Sequence, residues 1–296
     1  MRAMQASYKL DCFYLTLENF MTTLDPGSWI GRKENFDDNI DVGHVRRIAL
    51  SLNEEAPGEG GALPLLWQWG LFINALPYHE LGDDGHPRRG GFLPPADDRN
   101  RMWAGGRVQF LQDLRVGRKG RRESTIAAVT EKQGRSGKLL FVTVKHDYIQ
   151  GDALCISEEQ DIVYREPSPP KLEGGMIAPE AQWSEAVVPD PVMLFRYSAV
   201  TFNGHRIHYD EPYATRTEGY PGLVVHGPMI ATLMCRAFVH AHPDKQVLSL
   251  SYRGLRPLIA PRPFNVAGVL AEDGSANLWA EQDGTLAHQA ELRFKS

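Results

Sequence analysis

The sequence predicts an α+β protein in which one plan, a helix followed by an antiparallel sheet, occurs twice. Two observations carry this expectation. Short β-branched and aromatic runs separated by turn residues fill residues 101–164 and recur over 245–294. A segment with helical spacing of apolar residues precedes each set, and the proline-rich stretch Pro167-Ser-Pro-Pro lies between them.

Taken in order, residues 1–20 are expected to be a weakly ordered extension, because Met21 opens a plausible natural beginning. From Asp41, apolar residues at Val45, Ile48, Ala49 and Leu52 follow an acidic start and predict a helix, which Glu55-Ala-Pro-Gly-Glu-Gly-Gly breaks. Leu65 to Ile73 is apolar almost throughout and predicts a buried segment, helix or strand. Gly85-His-Pro-Arg-Arg-Gly-Gly-Phe-Leu-Pro-Pro predicts a long loop, and long loops in compact domains are often functional. Strands are then expected near residues 101–110, 124–130, 139–146 and 154–164, with Gly134-Arg-Ser-Gly as a hairpin turn. The basic piece Arg115 to Arg122 reads as a solvated turn between strands, with a grip on a nucleotide phosphate as the other reading.

These elements divide the chain into an N-terminal domain over 21–166, a linker over 167–190 and a C-terminal domain over 191–296. The second domain repeats the grammar: a strand candidate Val192 to Ser198, a polar loop, a helix from about Val225 to His240, and four strands. That helix carries Met229, Ile230, Leu233, Met234, Ala237 and Phe238, with Ala231 on another face, so it is apolar nearly all round and must be buried. A sheet curling round a buried central helix, twice in tandem with the sheets joined, is the hot-dog fold.

Composition narrows the partners. A formal net charge of −5 gives no general surface for nucleic acid, whose affinity comes from clustered Lys and Arg. Cys12, Cys155 and Cys235 are odd in number and far apart, so neither a disulfide framework nor a zinc site is expected. Without a signal-like start or a run approaching the roughly 20 apolar residues of a membrane span, a cytoplasmic protein is expected.

The chemistry is expected over Tyr197 to Asp210. Asn203, His205, Arg206, His208 and Asp210 fall within eight positions, followed by the helix entry Val225-His226-Gly227. The pair His205 and His208 near Asp210 raises a metal site, but Arg206 intervenes and no third ligand has a compelling spacing, so no metal is expected. Backbone N–H groups of Val225, His226 and Gly227 open a helix and could hold an oxyanion; Gly222 and Gly227 could equally serve a tight turn, with His226 packed.

The run Asn203 to His208, followed by His226-Gly227, resembles the motif of the MaoC-like (R)-specific hydratases and dehydratases. Longer matches resemble the double hot-dog branch of that superfamily, the mesaconyl-C4-CoA and itaconyl-CoA hydratases. They are Phe202 to Asp210, Gly219 to Pro228, Arg89 to Pro95, Arg101 to Arg107 and Glu158 to Glu166. The resemblance covers nearly everything after Met21 and implies addition or removal of water across the double bond of an acyl-CoA thioester, with CoA as part of the substrate and no cofactor.

The implied general base is His208, since imidazole titrates near working pH. Asn203 stands where the broader family has a catalytic Asp; an amide can hold water but cannot take a proton, so the proton work falls on His208, with His205 or Asp210 in support. Asn203 either holds the water or caps the loop. A substrate carboxylate calls for an arginine, and Arg206, Arg253, Arg256, Arg89 and Arg107 are the candidates. The N-terminal domain shows no matching His-rich loop, so it is expected to have lost the chemistry and to accommodate the acyl-CoA, with Trp67, Trp69 and Trp103 as contacts or as ordinary core. Two alternatives are a dehydratase for hydroxyacyl chains on acyl-carrier protein or CoA, and a non-catalytic acyl-CoA-binding module. A homodimer through the sheets is a possible assembly.

Overall fold

The computed structural model describes residues 25–96, 99–134, 137–170 and 172–295. The proposed extension over 1–20, and Cys12 with it, lies outside them. In the N-terminal half the chain forms β1 (Lys33–Asn39), α1 (Val42–Leu52), β2 (Asn100–Phe110), β3 (Lys119–Gly134), β4 (Gly137–Gln150) and β5 (Ala153–Arg165). The C-terminal half forms β6 (Trp183–Val187), α2 (Pro191–Val200), α3 (Glu211–Arg216), α4 (Gly227–Ala241), β7 (Gln246–Gly254), β8 (Phe264–Leu270), β9 (Ser275–Gln282) and β10 (Thr285–Lys295).

All ten strands join one antiparallel sheet in the order β1-β3-β4-β5-β2-β7-β10-β9-β8-β6. From its two outer edges this reads β1-β3-β4-β5-β2 and β6-β8-β9-β10-β7, the same order within each half. The expected repeat of one plan is therefore present in the topology. The halves meet where β2 pairs with β7, from Gly105 opposite Arg253 to Gln109 opposite Ser249.

Each half encloses apolar helix surface in its own way. Asp41 caps α1 by accepting from the His44 N–H at 2.7 Å, and Asn53, with φ of 57°, ends it in the left-handed region. Val45, Ile48, Ala49 and Leu52 are its buried face, and α1 packs on α2. The longer α4 buries Met229 through Cys235, Ala237 and Phe238, and β6, β8, β9 and β10 wrap it. Among the described residues between α1 and β2, the helical elements are short 3-10 turns. One of these, Trp67–Gly70, is the form taken by the apolar segment near Leu65.

Three expectations change. Val192 to Ser198 is helical: Asp190 accepts from the Met193 N–H at 2.7 Å and Pro191 occupies the first turn, so a capped start outweighs the strand-like side chains. The linker over 167–190 contains β6, so the second repeat begins before residue 191. The basic piece is only partly a turn, because Lys119 to Arg122 belong to β3; Arg121 pairs with Asp37 at 2.9 Å and Arg122 with Glu34 at 3.5 Å, fastening β1 to β3. The turn at Gly134–Gly137 does join β3 to β4, though Arg135 and Ser136 lie outside the described residues.

Beside the seam a carboxylate is enclosed. Glu158 is 1% exposed and accepts from Trp69 Nε1 at 2.9 Å, Gln160 Nε2 at 2.7 Å, the Tyr148 hydroxyl at 3.3 Å and the Tyr252 hydroxyl at 3.4 Å. Burial pushes its carboxyl up and these donors oppose that shift. Donors from β4, β5, β7 and the 3-10 turn thus converge on one acceptor, and the aromatic group Trp69, Trp103 and Tyr252 is built around it. Trp103 stacks on Tyr252 at 4.6 Å and meets Trp69 edge-on at 5.7 Å.

Candidate active site

The polar loop after α2 is shaped by its own backbone. Asn203 Oδ1 accepts from the His205 N–H at 3.0 Å, closing a local turn, and the Asn203 N–H donates to the Ser198 carbonyl at 2.8 Å. The amide oxygen therefore serves the loop, the capping role, and only the NH2 remains for a donor role. A single 3-10 turn, Arg206–His208, then carries His208 beneath the chain.

His208 Nδ1 lies 2.7 Å from the Val224 carbonyl. A carbonyl can only accept, so Nδ1 carries the proton and Nε2 is left with its lone pair. The ring stacks on His226 at 3.7 Å between centroids. His226 is fully enclosed, with Nε2 2.8 Å from the Ser198 hydroxyl, whereas His208 keeps 7% exposure. That difference assigns the packing role to His226 and leaves His208 as the reachable member.

The helix entry differs from expectation at two places. The Val225 N–H donates to the Leu258 carbonyl at 2.9 Å and is not available to a ligand. Gly227 is needed by a neighbouring side chain: a Cβ there would lie 2.5 Å from Trp103 Cε3, so the indole packs against the start of α4. No side chain caps α4, and Pro228 removes one first-turn donor, which leaves the N–H groups of Gly227 and Met229 without helical partners.

The N-terminal half places a second polar loop beside the one after α2. In the loop after α1, Asp84 accepts from the His86 N–H at 2.9 Å and its other oxygen lies 3.2 Å from His86 Nδ1. The Arg206 N–H donates to the Asp84 carbonyl at 3.0 Å and Arg206 Nη1 to the Asp83 carbonyl at 3.0 Å, docking this loop on the polar loop. Gly85 and Gly204 face each other so closely that a Cβ at Gly204 would sit 2.6 Å from the Gly85 carbonyl oxygen. The result is a row of imidazoles: His86 to His205 at 4.3 Å, His205 to His208 at 5.4 Å, and His208 to His226.

The considered His205, His208 and Asp210 metal set is not assembled. Asp210 pairs with Arg206 Nη2 at 2.7 Å and caps α3 through the Tyr213 N–H. Instead Asp84, His86 and His205 bring possible ligand atoms within 4.8 Å of one another, with both Asp84 oxygens already accepting from His86.

Burial sets the protonation. It lowers His208 to about 4, with the Val224 carbonyl opposing and His86 reinforcing the shift. His86 is lowered by burial and by Arg101, against the pull of Asp84; His205 is held far down by burial and by His86 and His208. Burial alone would raise Asp84, but its hydrogen bonds to His86 and the field of His205 prevail and hold it well below the usual carboxylate range. At neutral pH the cluster is an ionised carboxylate with neutral imidazoles.

Acid stability follows from the same burial. His146 at about 3, His208 at about 4 and His288 at about 4 are all held below the unfolded value near 6.5. Their stabilising contribution is complete above about pH 6.5 and is lost as pH falls toward 4, at up to about 1.4 kcal/mol per unit for each group. Thermal melts should show a flat Tm above pH 7 and a steep fall between 6.5 and 4. A Tm unchanged between pH 7 and 5 would contradict this.

The arginine candidates are mostly engaged. Arg107 pairs with Asp161 and Glu159 at 2.8 Å, Arg206 with Asp210, and Arg253 with the Gln289 amide oxygen at 2.9 and 3.0 Å. Arg89 donates to the Ala96 carbonyl and lies over the Tyr164 ring at 5.6 Å. Arg256 reaches only the Gly174 carbonyl, at 3.4 Å, with its Nε buried and unpartnered. The sequence analysis named none of Asp84, His86 and Arg101 as site residues, although His86 lies in the loop marked as long and Arg101 opens one of the matched stretches.

Comparison with known proteins places the chain among relatives. A family model for hydroxyacyl-thioester dehydratase type 2 matches residues 67–260. The chain is 45% identical over 251 residues to mesaconyl-C(4)-CoA hydratase of Chloroflexus aurantiacus, covering 83% of this chain and 89% of that protein. It is 29% identical over 240 residues to the mitochondrial hydroxyacyl-thioester dehydratase type 2 of Schizosaccharomyces pombe, covering 72% and 78%. In fold it is similar to a MaoC-like dehydratase from Phytophthora capsici, with a TM-score of 0.67 at 14% identity over 92% of this chain and 98% of that one. HtdX of Mycobacterium tuberculosis gives 0.65 at 18% identity over 88% and 99%. With its repeated strand order, its buried helix and its His-bearing loop at the entry to that helix, the chain belongs to the hydroxyacyl-thioester dehydratase type 2 family and shares the fold of MaoC-like dehydratases.

Proposed function

We propose that this hydro-lyase acts on the CoA thioester of a branched C5 dicarboxylate, interconverting mesaconyl-CoA or itaconyl-CoA with citramalyl-CoA. Support comes from the identity to mesaconyl-C(4)-CoA hydratase over most of both chains. The observation that carries the chemistry is the tautomer of His208, whose Nδ1–H is held by Val224 so that Nε2 is a free acceptor.

With the α,β-unsaturated mesaconyl thioester, in the hydration direction the oxygen of water bonds to the β-carbon while one of its protons passes to His208 Nε2. The π electrons move to the α-carbon and on to the thioester oxygen, where the N–H groups of Gly227 and Met229 stabilise the charge. His208 then returns its proton to the α-carbon, so water is added in full and the imidazole is again neutral. The low proton affinity of His208 favours this return. Asn203 can donate its NH2 to the water without taking part in proton transfer.

A second reading, a dehydratase of long hydroxyacyl chains, is favoured by the family description and by the yeast relative. Supplying citramalyl-CoA to purified protein and following the unsaturated thioester tests the first. Formation of mesaconyl- or itaconyl-CoA is expected, and no turnover with any C5 dicarboxylyl-CoA would remove it.

A further inference from the structure

We propose that Arg101, on the N-terminal half, is the receptor for the distal carboxylate of the substrate, beside the His86–His205 pair. The inference rests on the functional reading above, which requires a carboxylate at the far end of the acyl group.

Three observations place Arg101. It stands directly opposite Tyr164 in the β2–β5 register, and opposed residues share a face of the sheet, so it lies with Tyr164 and the Arg89 guanidinium that covers that ring. It precedes Trp103 by two positions on β2, with the bulge falling beyond Trp103, so both residues share that face about 6.6 Å apart. Trp103 in turn lies against Gly227, where the thioester oxygen is received.

Charge points the same way. Arg101 is partly buried, yet among the described residues it has neither a hydrogen bond nor an ion pair, unlike Arg107, Arg206 and Arg89. Its positive charge reaches His86, His205 and Tyr164, and it disfavours protonation of both imidazoles. An anion placed among these groups would neutralise the guanidinium and accept from it bidentately. Asp84 is committed to His86, so it leaves the guanidinium available.

The test compares citramalyl-CoA with 3-hydroxybutyryl-CoA, whose acyl end is uncharged, on wild type and on Arg101→Gln and Arg101→Lys. The expected result is a loss of about 100-fold or more in kcat/KM for citramalyl-CoA in Arg101→Gln, with 3-hydroxybutyryl-CoA changed less than about threefold. Arg101→Lys should keep part of the discrimination, since it retains the charge but not the fork. Equal loss on both substrates would assign Arg101 a structural role and overturn the inference. Should the variants fail to fold, wild-type binding decides: succinyl-CoA must compete more tightly than butyryl-CoA, and equal competition overturns it. If wild type turns over no C5 dicarboxylyl-CoA, the functional reading fails by itself, and a succinyl-CoA preference over butyryl-CoA that persists unchanged in Arg101→Gln overturns the assignment to the arginine.

Discussion

His208→Ala should lower kcat by about 10²–10⁴-fold, the range for removing a positioned general base. His208 Nε2 is the one imidazole nitrogen of the row whose acceptor state is set by a hydrogen bond from the other nitrogen to a backbone carbonyl, and the ring is still reachable from outside. The substitution also leaves the buried Val224 carbonyl without its donor, at about 1–3 kcal/mol. His208→Gln separates the effects, because its amide can still donate to that carbonyl while accepting no proton. Both variants should be inactive, with the Gln variant closer to wild-type Tm. Steady-state rates and melts on the same preparations check this, and a His208→Gln enzyme with more than about a tenth of wild-type kcat would show that the proton goes elsewhere.

Gly85→Ala should have the next largest effect. Gly85 has φ of +86°, and a Cβ there would collide with the Gly204 carbonyl oxygen, which belongs to backbone and cannot swing aside. The loop carrying Asp84 and His86 must then lift from the loop carrying His205, by a distance of the order that costs about 10²-fold in rate when a site is misplaced. Gly90→Ala is the control. It shares the positive φ, at +90°, but has no atom within 4 Å of the added carbon. Both should lose about 1 kcal/mol of stability to backbone strain, and only Gly85→Ala should lose activity. Equal activity in the two variants would mean that the docking of the loops is not needed for turnover.

Much of the fold could be read from local pattern because local physics decides it. Asp41 and the 3.6-residue spacing after it specify α1, and the all-round apolar character of Gly227–Ala241 specifies a helix that the sheet must cover. The failure at Val192 to Ser198 has a local cause too: branched and aromatic side chains argued for a strand while Asp190-Pro191, a cap and a first-turn proline, argued for a helix and was passed over. The site divides by sequence distance. His208, Asn203 and the helix entry lie within one stretch and could be read together. Asp84, His86 and Arg101 lie more than 100 residues earlier, and reach the imidazole row through the β2–β7 seam and the Gly85–Gly204 contact. No spacing rule encodes such an approach. The N-terminal half lacks a His-rich motif, yet it places an ionised carboxylate beside His86 and His205, and an arginine without a partner among the described residues.

The orientation of Trp103 also follows from the assembled molecule. Its ring takes the space of a Gly227 side chain, so a residue of the N-terminal half sets the environment of donors on the C-terminal helix. Among the described residues no helix is long and apolar enough to cross a membrane.

The central claim is that a short dicarboxylyl thioester, not a long acyl chain, is the substrate of this site. It is tested most directly by the ratio of kcat/KM for citramalyl-CoA to that for a long-chain 3-hydroxyacyl-CoA on the wild-type protein. A ratio above about 100 is expected, because a carboxylate facing an arginine is discriminated far more sharply than added methylene groups. A ratio below one would contradict the account and select the long-chain dehydratase.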